Sequence, residues 1–284
     1  MTTPEIVPAA FETGVRHDMP REDYDAIEAY NYSRLKHLSD SALHAKWRAD
    51  NQRASTDAMA LGRAVHTAIF ESRKFDEEFA VRPLIDRRTK RGRSLWQAHE
   101  LTKKEGVTVL APKQKDAVEE MASAVDRHPG CRALLSQVKV RELTVLWRER
   151  IRPDRDVPCK ARIDTISAVR GWPTIVDLKT TSDASDHGFA SAMHRYQYHL
   201  QAGWYVHGFN QIEPNNFRYV FIVVESSPPW DVRVLELDQE SIDEGREQAL
   251  DNLRLLDRCI EDGDWPGRGD GRIGLPRYAF RRQD

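Results

Sequence analysis

In the stretch from Cys159 to Thr181, CKARIDTISAVRGWPTIVDLKTT, two β-branched runs flank Gly171, Trp172 and Pro173. Runs of that kind separated by turn residues predict two strands joined by a turn. Side chains alternate across a strand, so Asp177 and Lys179 share a face and can meet one ligand. Asp164 lies on the preceding strand, and pairing around the turn carries it toward Asp177. Two carboxylates and an ammonium then gather at one end of a hairpin, a trio that is costly to bury without a ligand.

Two explanations compete for this trio. One is a surface hairpin with an ordinary salt bridge, since Asp-Leu-Lys is a common tripeptide. The other is a hard-cation site, with carboxylate oxygens for Mg²⁺ or Mn²⁺ and positions left for water and a phosphate oxygen. A lysine beside it orients or helps deprotonate an attacking water, or offsets charge on the phosphate. On that view the pattern points to metal-assisted phosphodiester hydrolysis.

The rest of the chain narrows the choice. At 284 residues it can form one large domain or two modest ones. A net charge of −2 provides no global basic field, so a nucleic acid would have to meet a local patch. The scattered Cys131, Cys159 and Cys259 have no Cys-x-x-Cys spacing, which excludes a cysteine metal site or disulfide framework as the organising device. Pro4 and Glu5 stand where a signal peptide would need an apolar run, and no segment is long and apolar enough for a membrane. A cytoplasmic protein without membrane contact is the expectation.

Read in order, the chain divides into an extended arm at 1–30, one domain over 31–264 and a tail at 265–284. Leu35, Leu38, Leu43 and Trp47 predict a helix after Asn31, broken near Ser39 and Asp40 or split in two. Ser33 stands near its start, as an N-cap or a phosphate contact. A helix from Thr56 to about Glu71 places Gly62 one turn before His66, a gap that admits a strand or ligand; His66 is a core histidine or a metal ligand. Arg63 lies on the same helix as a candidate DNA contact. A strand near Glu78 to Arg82 leads to the densest basic segment, where Arg87, Arg88, Lys90 and Arg91 are candidate contacts to a DNA backbone or simply solvated surface.

Helices are predicted from about Ser94 to Lys104 and Pro112 to Asp126, followed by a break at His128, Pro129 and Gly130. In the strand-like Val138 to Ile151, Glu142 is a further metal ligand or the partner of an arginine. A helix from about Tyr196 to Gly208 aligns Tyr198, Gln201 and Tyr205 on one face, either as core or to steady a lysine, carboxylate or phosphate. Strands at Asn216 to Val224 and Val232 to Leu237 precede a helix from Gln239 to Asp262. No GxxxxGK[ST] loop occurs, so ATP use is unsupported.

The order of these elements is more specific than any one of them. A Ser-x-Leu-Lys helix, a Gly-x-x-x-His helix, Asp164, Asp177-Leu-Lys179 and Gln201-x-x-x-Tyr205 together resemble the RecB-like branch of the PD-(D/E)xK nucleases. Within it, DRRTKRG, CKARID, IVDLKTT and YHLQAGWY are most similar to the RecE-type, exonuclease VIII-like exonucleases of phages and prophages, over about Tyr32 to Val224. The resemblance implies an α/β fold, a mixed central sheet flanked by helices. It implies divalent metal on His66, Asp164, Asp177 and the Leu178 backbone carbonyl, with Lys179 acting on water and Gln201 and Tyr205 in support. It further implies ATP-independent 5′ to 3′ digestion of linear duplex DNA ends, a RecT-like single-strand annealing partner and a homo-oligomer. Asp164 follows Ile163 rather than proline, and the four-cysteine cluster of some relatives is missing.

Overall fold

The computed structural model describes residues 11–51, 56–86, 88–101, 106–169 and 171–274. Arg87, one of the candidate DNA contacts, lies outside them. In chain order come β1 (Gly14–Arg16), α1 (Arg21–Ala26), α2 (Tyr32–Leu35), α3 (Ala42–Asp50) and α4 (Asp57–Phe70). Next are α5 (Phe75–Glu78), β2 (Phe79–Val81), α6 (Lys90–Leu101), β3 (Thr108–Leu110), α7 (Pro112–Arg127) and α8 (Pro129–Leu135). The second half holds β4 (Val138–Arg152), β5 (Arg155–Val169), β6 (Trp172–Thr181), α9 (Asp186–Tyr196) and α10 (Tyr198–Ile212). β7 (Arg218–Glu225), β8 (Val232–Glu236) and α11 (Gln239–Asp262) complete the described elements.

One sheet runs β1-β4-β5-β6-β7-β8, while β2 and β3 form a small parallel pair of their own. The pairs are antiparallel except β6 with β7, which are parallel because α9 and α10 cross between them. This is the mixed sheet flanked by helices that the resemblance implied. Helices cover both faces, so β6 and β7 are apolar on both sides. Ile175, Tyr219, Phe221 and Val223 face one core with α10 and α11. Val176, Leu178, Val220 and Ile222 face the other, with α4 and α7.

Local chemistry explains most boundaries. Thr56 caps α4 by accepting the Met59 N–H, Ser185 caps α9 and Asp238 caps α11. Asn31, not Ser33, caps α2; Ser33 is exposed one residue inside. The helix after Asn31 breaks at a 3₁₀ turn, Lys36–Ser39, before Ser41 caps α3. His128 does not merely interrupt the chain: its ring accepts the Cys131 N–H and starts α8 with Pro129 in the first turn. Lys90 and Arg91 open α6 instead of lying in a loop. The helix expected at 196–208 is α10; Gln197, in the left-handed region at φ 60°, separates it from α9, which the sequence pattern does not predict. In the segment expected as an arm, β1 pairs with β4, and buried Lys160 donates to the carbonyls of Tyr24 and Ile27 at 2.6 and 2.8 Å.

Candidate active site

The β5–β6 ladder pairs Val169 with Trp172 and continues to Thr165 with Val176, where it ends. Asp164 and Asp177 are the next residues along, so they face each other where the two strands part. On the other side of β5, Arg141 pairs with Thr165 and Leu143 with Ile163, leaving Glu142 opposite Asp164. Glu142 has φ 50°, a left-handed conformation costly for a non-glycine residue within a strand. The in–out alternation slips here on both strands: Val140 and Leu143, like Ile163 and Ile166, belong to the same core. The irregular stretch therefore turns three carboxylate-bearing positions toward one opening.

Side chains from five elements, β5, β6, β7, α4 and α10, meet there. Asp177 Oδ2 takes the Lys179 ammonium at 2.6 Å and the Tyr219 hydroxyl of β7 at 3.1 Å. Lys179 also donates to Gln201 Oε1 of α10 at 2.9 Å, and Gln201 Nε2 donates to the Tyr205 hydroxyl at 3.0 Å. The Tyr198 ring lies 4.6 Å from the ammonium, a cation–π contact that holds it from a third side. From α4, His66 Nε2 comes within 3.2 Å of Asp164 Oδ2. Gly62, one turn earlier, leaves room for β6: a Cβ there would touch Thr180 Oγ1 at 3.5 Å.

Burial pushes the Asp177 carboxyl up, and the neighbouring Asp164 charge adds to this, against the pull of Lys179. Burial acts upward on Asp164 as well, but the His66 and Lys179 charges outweigh it and hold that carboxyl below its ordinary range. His66 is desolvated, which lowers it, yet Asp164, Glu142 and Asp177 together raise it to about 9. One carboxylate pushed up beside one held down is the pattern of a site with more negative charge than it can comfortably keep.

The donors suit a hard divalent cation: carboxylate oxygens with one imidazole nitrogen. His66 Nε2 is shut off from solvent and has no aligned hydrogen-bond partner, although Asp164 is close. A buried ring nitrogen left unsatisfied beside a carboxylate fits a ligand position. Glu71, just past the end of α4, and Glu142 place carboxylate oxygens within 4.8 Å of the His66 donor and of each other. Glu142 is also held by the Arg162 guanidinium, with Nε donating at 2.6 Å, and Glu71 pairs with Lys74. Glu142 therefore has an arginine partner and also stands among groups that could hold a cation.

Of the remaining candidates, Ser33 and Arg63 are exposed, and Arg63 donates to Thr108 Oγ1 at 3.1 Å. Arg88, Lys90 and Arg91 are exposed around the start of α6 and take no part in the carboxylate cluster. Leu178 follows Asp177 on β6, beyond the last β5–β6 pair. The sequence reasoning missed Tyr219, Arg162 and Glu71. A tyrosine within the apolar run FRYVFIVV was the available signal for Tyr219, because a buried phenol needs a partner.

No curated protein sequence matches this chain. Among solved structures, a "putative exonuclease" from Eubacterium rectale superposes with a TM-score of 0.60 at 14% identity, over 87% of this chain and 88% of that one, a likeness of fold. SSO0001 aligns over 49% of this chain and 68% of its own at 16% identity, with a TM-score of 0.26. Protein VC1899 from Vibrio cholerae aligns over 88% and 58% at 13% identity, with a TM-score of 0.24; neither score supports an argument about fold. Residues 31–273 match the model of a family described as a PDDEXK-like domain of unknown function (DUF3799). With its sheet, its parted β5–β6 hairpin and that match over most of its length, the chain belongs to the PDDEXK-like DUF3799 family.

Proposed function

We propose that the protein is a metal-dependent deoxyribonuclease acting on linear duplex DNA from its ends, 5′ to 3′ and without ATP, in phage-type recombination of the RecE kind. The observation that carries the nuclease reading is the meeting of Asp164, Asp177, Lys179 and His66 where β5 and β6 separate. His66, Asp164, Asp177 and the Leu178 carbonyl would hold Mg²⁺ or Mn²⁺, with Glu142 and Glu71 carboxylates also within reach of His66. When bound, the ion supplies Lewis-acid stabilisation of the phosphate and lowers the pKa of bound water. Lys179 would position an attacking water, and Gln201, Tyr198 and Asp177 aim its ammonium. Tyr205 orients the Gln201 amide. End specificity, polarity, the homo-oligomer and the annealing partner are carried by the sequence resemblance alone; the Eubacterium rectale likeness supports the fold.

The test is digestion of linear duplex DNA labelled at its 5′ or 3′ end, beside closed circles, with Mg²⁺ or chelator. Release of 5′ label first from linear DNA alone is expected, and Lys179→Ala should lose about 10²–10³-fold in rate while still binding DNA. Cleavage of the circles would replace the exonuclease with an endonuclease. A folded protein that binds DNA and cuts none with Mg²⁺ or Mn²⁺ would leave a DNA-end-binding scaffold.

A further inference from the structure

Beside the carboxylate cluster lies a set of groups that the hydrolytic chemistry does not use. Tyr196 ends α9 with its ring 50% exposed, a large aromatic left on the surface next to the proposed centre. It stacks on Tyr198 at 5.7 Å with a 30° tilt, and Tyr198 in turn faces Lys179 at 4.6 Å. The Arg195 guanidinium borders the Tyr196 ring at 5.6 Å. The Tyr196 carbonyl accepts the Tyr32 hydroxyl at 2.8 Å, which ties this ledge to α2. Over the Tyr32 ring, at 5.3 Å, sits the Lys36 ammonium.

Lys36 is half-buried and has no carboxylate partner among the described residues. The charges that act on it are Lys179 and Arg48, both positive. A desolvated ammonium facing other cations is unfavourable unless an anion arrives to meet it. An exposed tyrosine stacked on a second ring, with a guanidinium at its rim, has the make-up of a base-stacking ledge. The two features are joined by one hydrogen bond and both lead to Lys179.

We propose that these residues form a subsite for one unpaired nucleotide adjoining the cleaved phosphate, with the base on Tyr196 and the flanking phosphate on Lys36. The subsite rests on the nuclease reading above and specifies what that nuclease holds: a frayed or single-stranded terminal residue rather than an intact base pair. It accounts for an aromatic surface where a continuous duplex would need only cations. It also assigns Lys36 an anion that the protein itself does not provide.

The experiment uses the full chain in chelator, where no cleavage intrudes, and a duplex whose terminal unpaired position carries 2-aminopurine. Binding to the wild type should quench the fluorescence. Tyr196→Ala should lose most of the quench and weaken binding about tenfold, and Tyr196→Trp should restore both. Lys36→Gln should keep the quench but lower the log–log salt slope of binding by about one. With Mg²⁺, both loss variants should raise KM more than they lower kcat. Equal quenching in wild type and Tyr196→Ala, or no quenching in either, would overturn the ledge; an unchanged salt slope in Lys36→Gln would overturn the phosphate contact. Wild type that quenches yet never cleaves would refute the nuclease and leave the subsite, and cleavage without a Tyr196-dependent quench would do the reverse.

Discussion

Asp177 is 3% exposed and carries its charge on two donors, the Lys179 ammonium and the Tyr219 hydroxyl. Removing the phenol oxygen alone isolates the second. Tyr219→Phe keeps the ring against Phe221, 5.1 Å away, so the core stays filled. The variant is expected to lose about 1 kcal/mol in urea unfolding and about tenfold in Mg²⁺-dependent cleavage, because an outer partner orients the carboxylate. Unchanged cleavage would reduce the hydroxyl to a core hydrogen bond. The same residue shows what local sequence can reveal. Asp177 and Lys179 are two apart, and Gln201 and Tyr205 one turn apart, so strand and helix geometry alone brings each pair together. Tyr219 reaches Asp177 only through parallel pairing of β6 with β7, a partnership of distant segments that no spacing reports. Glu71 was hidden for a related reason: it lies just beyond the end of α4, where periodicity stops.

Among the elements, α10 is the one whose placement governs the lysine, and its seat against α11 is unusually close. A Cβ on Gly203 would come within 2.1 Å of the Arg246 backbone nitrogen, and one on Gly245 within 2.0 Å of the His199 carbonyl oxygen. The two helices touch backbone to backbone through these glycines, which explains why α10 tolerates a residue that costs about 1 kcal/mol in a helix interior. Gly203→Ala must push the helices apart. The expected cost is about 3 kcal/mol in unfolding free energy, together with a fall in cleavage larger than stability explains, since Gln201 and Tyr205 move with the helix. Full activity at a temperature where the variant stays folded would separate helix seat from site. The α11 helix was legible end to end, its Gln239 to Asp262 bounds following an apolar stripe at Ile242, Leu250, Leu253, Leu256 and Ile260. The α9 helix was not, because the left-handed residue that ends it is glutamine rather than glycine.

At the scale of the whole molecule, a net charge of −2 means that DNA must be met by a restricted basic surface. If Arg88, Lys90 and Arg91 contribute to it, reversing all three to glutamate should weaken binding alike for every DNA sequence and lower the salt slope by about 2–3, read by titration at several ionic strengths. Unchanged binding would return this face to solvated surface. The described helices include none long and apolar enough to cross a membrane. The acid cluster makes a separate demand on global stability. Asp164 and Asp177 face each other with Glu142 and Glu71 nearby, and the cations that pair with these four are His66, Lys179, Arg162 and Lys74. A cation that binds this arrangement and not the unfolded chain must raise the melting temperature by mass action, about 2.7 kcal/mol at a hundred times its dissociation constant. For a chain of this size that corresponds to a rise of about 5 °C. Thermal melts in chelator, Mg²⁺ and Mn²⁺ should show the rise with either ion. Asp164→Ala should abolish it, whereas Arg88→Glu, remote from the cluster, should keep it in full. A melting temperature indifferent to both ions in the wild type would sink the metal assignment without any appeal to activity, and with it the role given to His66.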